Sequence, residues 1–166
     1  MARNRGMVVV FNASPKLPTD WKRVGPVDWL LVNQGEAQAI IAEGSVHEWN
    51  LKSLNQIQGK TLAKNIVVTL GGKGAVALAS TGKVISVPAI PPIAHVDTTG
   101  AGDAFAGHFL ATLFNGTKIE ESHIGRALLV GSAAGSLAVG IRGAFTAIPS
   151  SNAVQSHLQN SSKDKK

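Results

Sequence analysis

Apolar residues in this chain fall into short unbroken runs, separated by stretches with helical spacing. Met7-Val8-Val9-Val10-Phe11 predicts a fully buried strand that ends at Asn12-Ala13-Ser14-Pro15. Trp29-Leu30-Leu31-Val32, closing at Asn33, predicts a second strand, and Ile66-Val67-Val68-Thr69-Leu70 a third. Gly35 to Ala42 has a helical pattern between them. Ala75 to Ala79 and Lys83 to Val87 flank the turn Ser80-Thr81-Gly82, which predicts a hairpin. Helices are expected over Gly102 to Phe114 and Glu121 to Val139. Strands separated by helical segments predict parallel βαβ units, here with a hairpin appended. In such sheets ligands bind beyond the carboxyl ends of the strands. The polar residues at those ends are Asn12, Asn33, Thr69 and Asp97. Each could equally serve only as a turn residue.

Composition narrows the classes. A chain of 166 residues suggests one domain with room for a core. No cysteine is present, which removes disulfides and thiolate metal sites and fits a reducing, cytoplasmic setting. The net charge of +6 is scattered, with clusters only at the two ends, so no basic stripe suggests nucleic acid. Ala127 to Ile141 is uncharged but shorter than the ~20 residues of a membrane helix. The apolar run after Arg3 and Arg5 is too short for a secretory signal. The basic end, residues 159–166, is expected to be a disordered tail.

The densest chemistry lies in Asp97-Thr98-Thr99-Gly100-Ala101-Gly102-Asp103. A glycine-rich turn here enters the N-terminus of an apolar-faced helix. The first backbone N–H groups of a helix lack intrahelical partners, and the helix dipole favours an anion beside them. Asp103 then stands where a phosphate would be held. A carboxylate is awkward at such a place unless it takes a proton from a hydroxyl attacking that phosphate. A simpler role, helix capping, remains open on these residues alone. Gly71-Gly72-Lys73-Gly74 lacks P-loop spacing, and Phe105 stands where a dinucleotide fingerprint needs its third glycine.

The string Asp-Thr-Thr-Gly-Ala-Gly-Asp-Ala-Phe resembles the second signature of the ribokinase-like carbohydrate kinases, the PfkB family. The resemblance extends over most of the chain. It implies an α/β fold with a Rossmann-like three-layer parallel sheet, flanked by helices and truncated on its N-terminal side. Residues 1–158 would form the C-terminal nucleotide-binding part. The implied activity is transfer of the γ-phosphoryl group of ATP to a sugar hydroxyl, with ribose the leading candidate. Asn12-Ala13-Ser14-Pro15 is similar to an Asn-Pro-Ala-Pro segment of the ribokinase branch.

The resemblance also implies roles. Asp103 corresponds to the catalytic base, and Gly100, Ala101 and Gly102 to the anion hole. Asn33-Gln34-Gly35-Glu36 resembles the Asn-x-x-Glu motif, with Asn33 near the phosphates and Glu36 organising Mg²⁺ through water. Glu36 could instead be a first-turn acid that suits the helix dipole. Thr69, Gly71, Gly72, Lys73 and Gly74 resemble a nucleotide-lining stretch, although Lys73 could equally face solvent. Ser132 falls where a His or Asn often flanks adenine. Asp97, Thr99, Ala138, Ile141, Gly143 and Ala147 align with ligands of a monovalent cation, usually K⁺. Ala147 lacks the hydroxyl of the serine found there in some ribokinases. Nothing here resembles the family's Gly-Gly sugar-binding signature, first strands or lid. An uncovered sheet edge and self-association are therefore expected, as is the alternative of a catalytically inactive nucleotide-binding or interaction module.

Overall fold

A computed structural model describes residues 5–42, 46, 48–116 and 119–163. The chain forms two compact units, Met1–Leu70 with Val76–Ile85 and Gly71–Ala75 with Ser86–Lys166.

The first unit is built on a five-stranded sheet in the order β1 (Val10–Asn12), β2 (Val27–Asn33), β3 (Ala63–Thr69), β4 (Ala75–Leu78), β5 (Val84–Val87). β1 and β3 both pair in parallel with β2. The connections from β3 to β4 and from β4 to β5 are too short for a parallel crossover, so these strands fold back as a meander. The sheet is therefore mixed rather than parallel throughout. Within β2 the unbroken apolar run Trp29 to Val32 is fully buried, as a strand covered on both faces requires. The register sets Leu30 beside Ile66 and Val32 beside Val68. Full burial of each such side chain contributes about 1.5–3 kcal/mol.

Three helices accompany this sheet. α1 (Trp21–Val24) is a single turn, and Trp21 meets Phe11 edge-on with ring centroids 6.0 Å apart. α2 (Gln34–Ile41) and α3 (Leu51–Thr61) bury Ala37, Ile40, Leu54 and Ile57 in the same core as Leu30, Ile66 and Leu78. The apolar pattern did not indicate α3, because its polar residues and Gly59 dilute it. Its local signal is the cap: Asn50 accepts from the backbone N–H of Ser53, and Ser53 Oγ accepts from that of Asn50. The strand expected from Met7 begins only at Val10, where pairing with β2 begins; Met7 and Val8 are exposed.

The second unit is helical. α4 (Ala101–Leu113) packs on α5 (Glu121–Val139), and α5 also carries α6 (Ser151–Lys163). α5 approaches α4 closely through glycine. A Cβ on Gly131 would stand 3.0 Å from the carbonyl oxygen of Phe105, and one on Gly135 would stand 3.1 Å from that of Ala101. Phe105 stacks on Phe109, with centroids 5.9 Å apart. Between α5 and α6, buried Ser136 Oγ and His157 Nε2 lie 3.1 Å apart, which satisfies both polar groups. α6 continues past residue 158, so the tail expected from residue 159 begins inside a helix; residues 164–166 lie outside those described. Among the described residues no helix is long and apolar enough to cross a membrane.

Candidate active site

In the first unit, the register places Asn33 directly beside Thr69 at the carboxyl ends of β2 and β3. Asn33 also caps α2. Its Oδ1 accepts from the Glu36 N–H at 2.9 Å, and Glu36 Oε2 accepts from the Asn33 N–H at 2.8 Å. The Asn-x-x-Glu spacing is thus a reciprocal capping box. Both side chains are held rigid at the strand end. The second Glu36 oxygen and the Asn33 amide NH₂ have no hydrogen-bond partner among the described residues. The donor set suits Mg²⁺ held through water and phosphate rather than in a protein cage.

The second unit holds the glycine-rich elements. Gly71–Lys73 forms a single 3-10 turn, and Gly74 closes it with an N–H bond to the Gly71 carbonyl. Packing alone explains Gly74: its φ is 98°, and a Cβ would lie 2.1 Å from the Val87 carbonyl oxygen. Gly71 and Gly72 face open space, and Lys73 is exposed. Ser132 is half-buried on α5.

Gly100 is the N-cap of α4, at φ 82° and with no side-chain cap. A Cβ there would lie 2.8 Å from Ala144 Cα and 2.9 Å from its carbonyl oxygen. The Ala101 N–H turns back to the Thr98 carbonyl at 3.2 Å. Among the described residues the Gly102 and Asp103 N–H groups have no acceptor. Gly102 differs from Gly100 in a telling way: its φ is ordinary and a Cβ would meet nothing within 4 Å. Neither backbone conformation nor packing demands glycine at 102. Close approach of an external group would demand it. The Asp103 side chain is exposed in this same first turn.

Behind this turn, Asp97 ties two loops together. Its Oδ1 accepts from Thr99 Oγ1 at 2.7 Å and from the Thr99 N–H at 2.9 Å, while Oδ2 accepts from the Gly143 N–H at 3.0 Å. The Thr99 hydroxyl, the Gly143 and Thr99 amides and the Arg142 charge hold the Asp97 carboxyl down at about 2. The clamp thus favours the folded state fully above the ordinary value of 3.8, and that contribution is lost as pH falls through about 2. Denaturation midpoints of the wild type should fall more steeply between those two pH values than those of Asp97→Asn. Parallel curves would remove the clamp from the acid response.

The expected cation ligands share this neighbourhood unevenly. The Ala138 carbonyl already accepts from the Gly140 and Ile141 N–H groups. Ala147 is fully buried in the apolar core of the second unit. Of these positions, hydrogen bonds to the Asp97 carboxylate bring together only Asp97, Thr99 and Gly143 among the described residues. Among the described residues no cluster of three or more His, Cys, Asp or Glu forms. The motif did not reveal Ala144, whose backbone packs on Gly100 from a distant loop.

Comparison with known proteins fits this geometry. Residues 1–151 match the family model described as pfkB family carbohydrate kinase. The chain belongs to that family. It is 28% identical over 154 residues to the ribokinase of Schizosaccharomyces pombe, covering 90% of this chain and 46% of that protein. The solved Arabidopsis thaliana ribokinase, complexed with ribose and ATP, superposes with a TM-score of 0.81 at 26% identity, over 94% of this chain and 49% of that one. A fructokinase double mutant from Vibrio cholerae O395, in its fructose-, ADP- and potassium-bound form, gives 0.79 at 25% identity, over 94% and 52%. The chain therefore has the ribokinase fold and spans about half the length of these relatives.

Proposed function

We propose that this chain is the nucleotide-binding half of an ATP-dependent sugar kinase of the ribokinase type, with ribose the leading acceptor. The observation that carries the proposal is the opening turn of α4. Two N–H groups without an acceptor among the described residues, of Gly102 and Asp103, stand where the missing Cβ of Gly102 leaves open space. In the proposed reaction Asp103 removes the proton of the acceptor hydroxyl as its oxygen bonds to the γ-phosphorus. The bond from that phosphorus to the β–γ bridging oxygen breaks, and ADP leaves. The N–H groups of the turn, fixed in place by α4, stabilise charge on the transferred group. Asn33, Thr69 and the Gly71–Gly74 turn would line the nucleotide, and Glu36 would orient Mg²⁺ and its waters. The Vibrio fructokinase complex contains potassium, and the motif assigns a monovalent cation here to the Asp97 loop. When bound, Mg²⁺ supplies neutralisation of phosphate charge.

The half-length span favours a second reading for the chain by itself: nucleotide binding without turnover. Calorimetric titration with ATP and Mg²⁺ tests both. The expected result is weak binding, little phosphorylation of ribose, and a higher magnesium requirement for Glu36→Gln. Sugar-dependent ADP release by the chain as a monomer would overturn the half-site reading. An unchanged magnesium titration would leave Glu36 as a helix cap only.

A further inference from the structure

Asn115 and Gly116 lie in the exposed turn that follows α4, and they are the only Asn-Gly pair in the sequence. The helix ends at Leu113. The Phe114 N–H still bonds to the Leu110 carbonyl, and the Asn115 N–H reaches the Thr112 carbonyl at 3.3 Å. Beyond that point the backbone is released. Neither the Asn115 side chain nor the Gly116 N–H has a hydrogen-bond partner among the described residues. A Cβ on Gly116 would meet nothing within 4 Å, so the turn is open as well as exposed.

The carbon of a side-chain amide is an electrophile, and the nitrogen of the next residue is the nearest nucleophile. Glycine neither shields that nitrogen nor restricts the rotation that brings it onto the amide. The other described asparagines are held away from such closure. Asn33 Oδ1 accepts from the Glu36 N–H, Asn50 Oδ1 from the Lys52 and Ser53 N–H groups, and Asn65 Oδ1 from the Ser80 N–H. Asn55, Asn152 and Asn160 lie inside α3 and α6, where the backbone is fixed. Asn12 precedes Ala13, whose N–H is bound to the Leu31 carbonyl.

We propose that Asn115 is a self-modification site, converted by attack of the Gly116 nitrogen to isoaspartate and aspartate, and that the conversion weakens the C-terminal end of α4. The Gly116 nitrogen gives its proton to water and bonds to Asn115 Cγ. The Cγ–Nδ2 bond breaks, and ammonia leaves with a proton returned by water. Water then opens the cyclic imide at either of its carbonyl carbons. The balance is one amide and one water consumed, one carboxylate and one ammonium ion formed. The new carboxylate stands at the negative end of the α4 dipole, and the last turn of the helix contains no basic residue to offset it. This end of α4 is opposite the Gly102 turn, so the inference does not rest on nucleotide binding or transfer.

The test is incubation of the full chain at neutral pH, followed by peptide mass spectrometry with chromatographic separation of the two products. The Asn115 peptide is expected to gain the mass difference between NH₂ and OH before any other asparagine peptide, with both products present. Gly116→Ala should slow the conversion severalfold, because the methyl crowds the nitrogen and restricts its rotation. Its open surroundings let that variant fold. Asn115→Asp supplies the aspartyl product at once and should lower the thermal midpoint by about 1–4 °C. Asn115→Gln, whose longer side chain closes the ring poorly, should stay unmodified and keep the wild-type midpoint. Conversion spread evenly over the asparagines, conversion unaffected by Gly116→Ala, or an Asn115→Asp midpoint equal to that of the wild type would each overturn the inference.

Discussion

Gly102→Ala is expected to raise stability and lower nucleotide affinity at the same time. Position 102 lies in the first turn of α4, where alanine is favoured over glycine by ~0.5–1 kcal/mol. Beyond the adjacent residues and the helix's own backbone, no described atom lies within 4 Å of the added Cβ, so no packing clash offsets that gain. The same methyl would occupy the approach to the unpartnered N–H groups, and ATP affinity should fall by about tenfold or more. Gly100→Ala should behave in the opposite way. Alanine at φ 82° costs ~1–2 kcal/mol, and its Cβ would sit 2.8 Å from the Ala144 backbone, adding ~1–3 kcal/mol of overpacking. A loss of about 2–5 kcal/mol is a large share of the ~5–15 kcal/mol that stabilises a typical domain. Denaturant unfolding with ATP titration separates the two glycines. Unchanged ATP affinity in a folded Gly102→Ala protein would detach this turn from phosphate binding.

The contrast between these glycines marks the boundary of what the sequence conveys. β2, β3, α4 and α5 were legible because each has a long apolar signal matched to its own period. α3 was not, since only Leu54 and Ile57 are apolar on its buried face and the helix is held by a cap at Asn50 and by packing in the core. Met7 and Val8 read as buried because hydrophobicity reports burial only where a partner strand exists. At the site, the motif located Gly100 and Gly102 but gave them one role. Ala144 separates them, through a backbone contact between distant segments that no local pattern encodes. The Asn33–Glu36 spacing read in two ways, and its capping box is a physical fact of the fold that leaves metal contact to experiment.

Asp103→Asn should abolish transfer while leaving nucleotide binding close to normal, in a context that supplies the acceptor half of the fold. Asparagine has nearly the same shape and keeps the backbone N–H of residue 103, so the proposed anion-binding turn survives. It cannot accept the hydroxyl proton, and loss of a positioned base costs about 10²–10⁴ in rate. The fold should barely notice. Asp103 is exposed in the first turn of α4, where its charge contributes only ~0.3–1 kcal/mol through the helix dipole. ATP affinity should hold or rise slightly, because a negative charge beside the phosphates has been removed. This pairing distinguishes a base from a cap. A cap would lose stability and keep its rate. Single-turnover transfer to ribose, measured beside ATP binding and thermal unfolding of the same variant, reads all three quantities. Near-normal turnover would return Asp103 to the role of a helix-end acid and leave the reaction without its base.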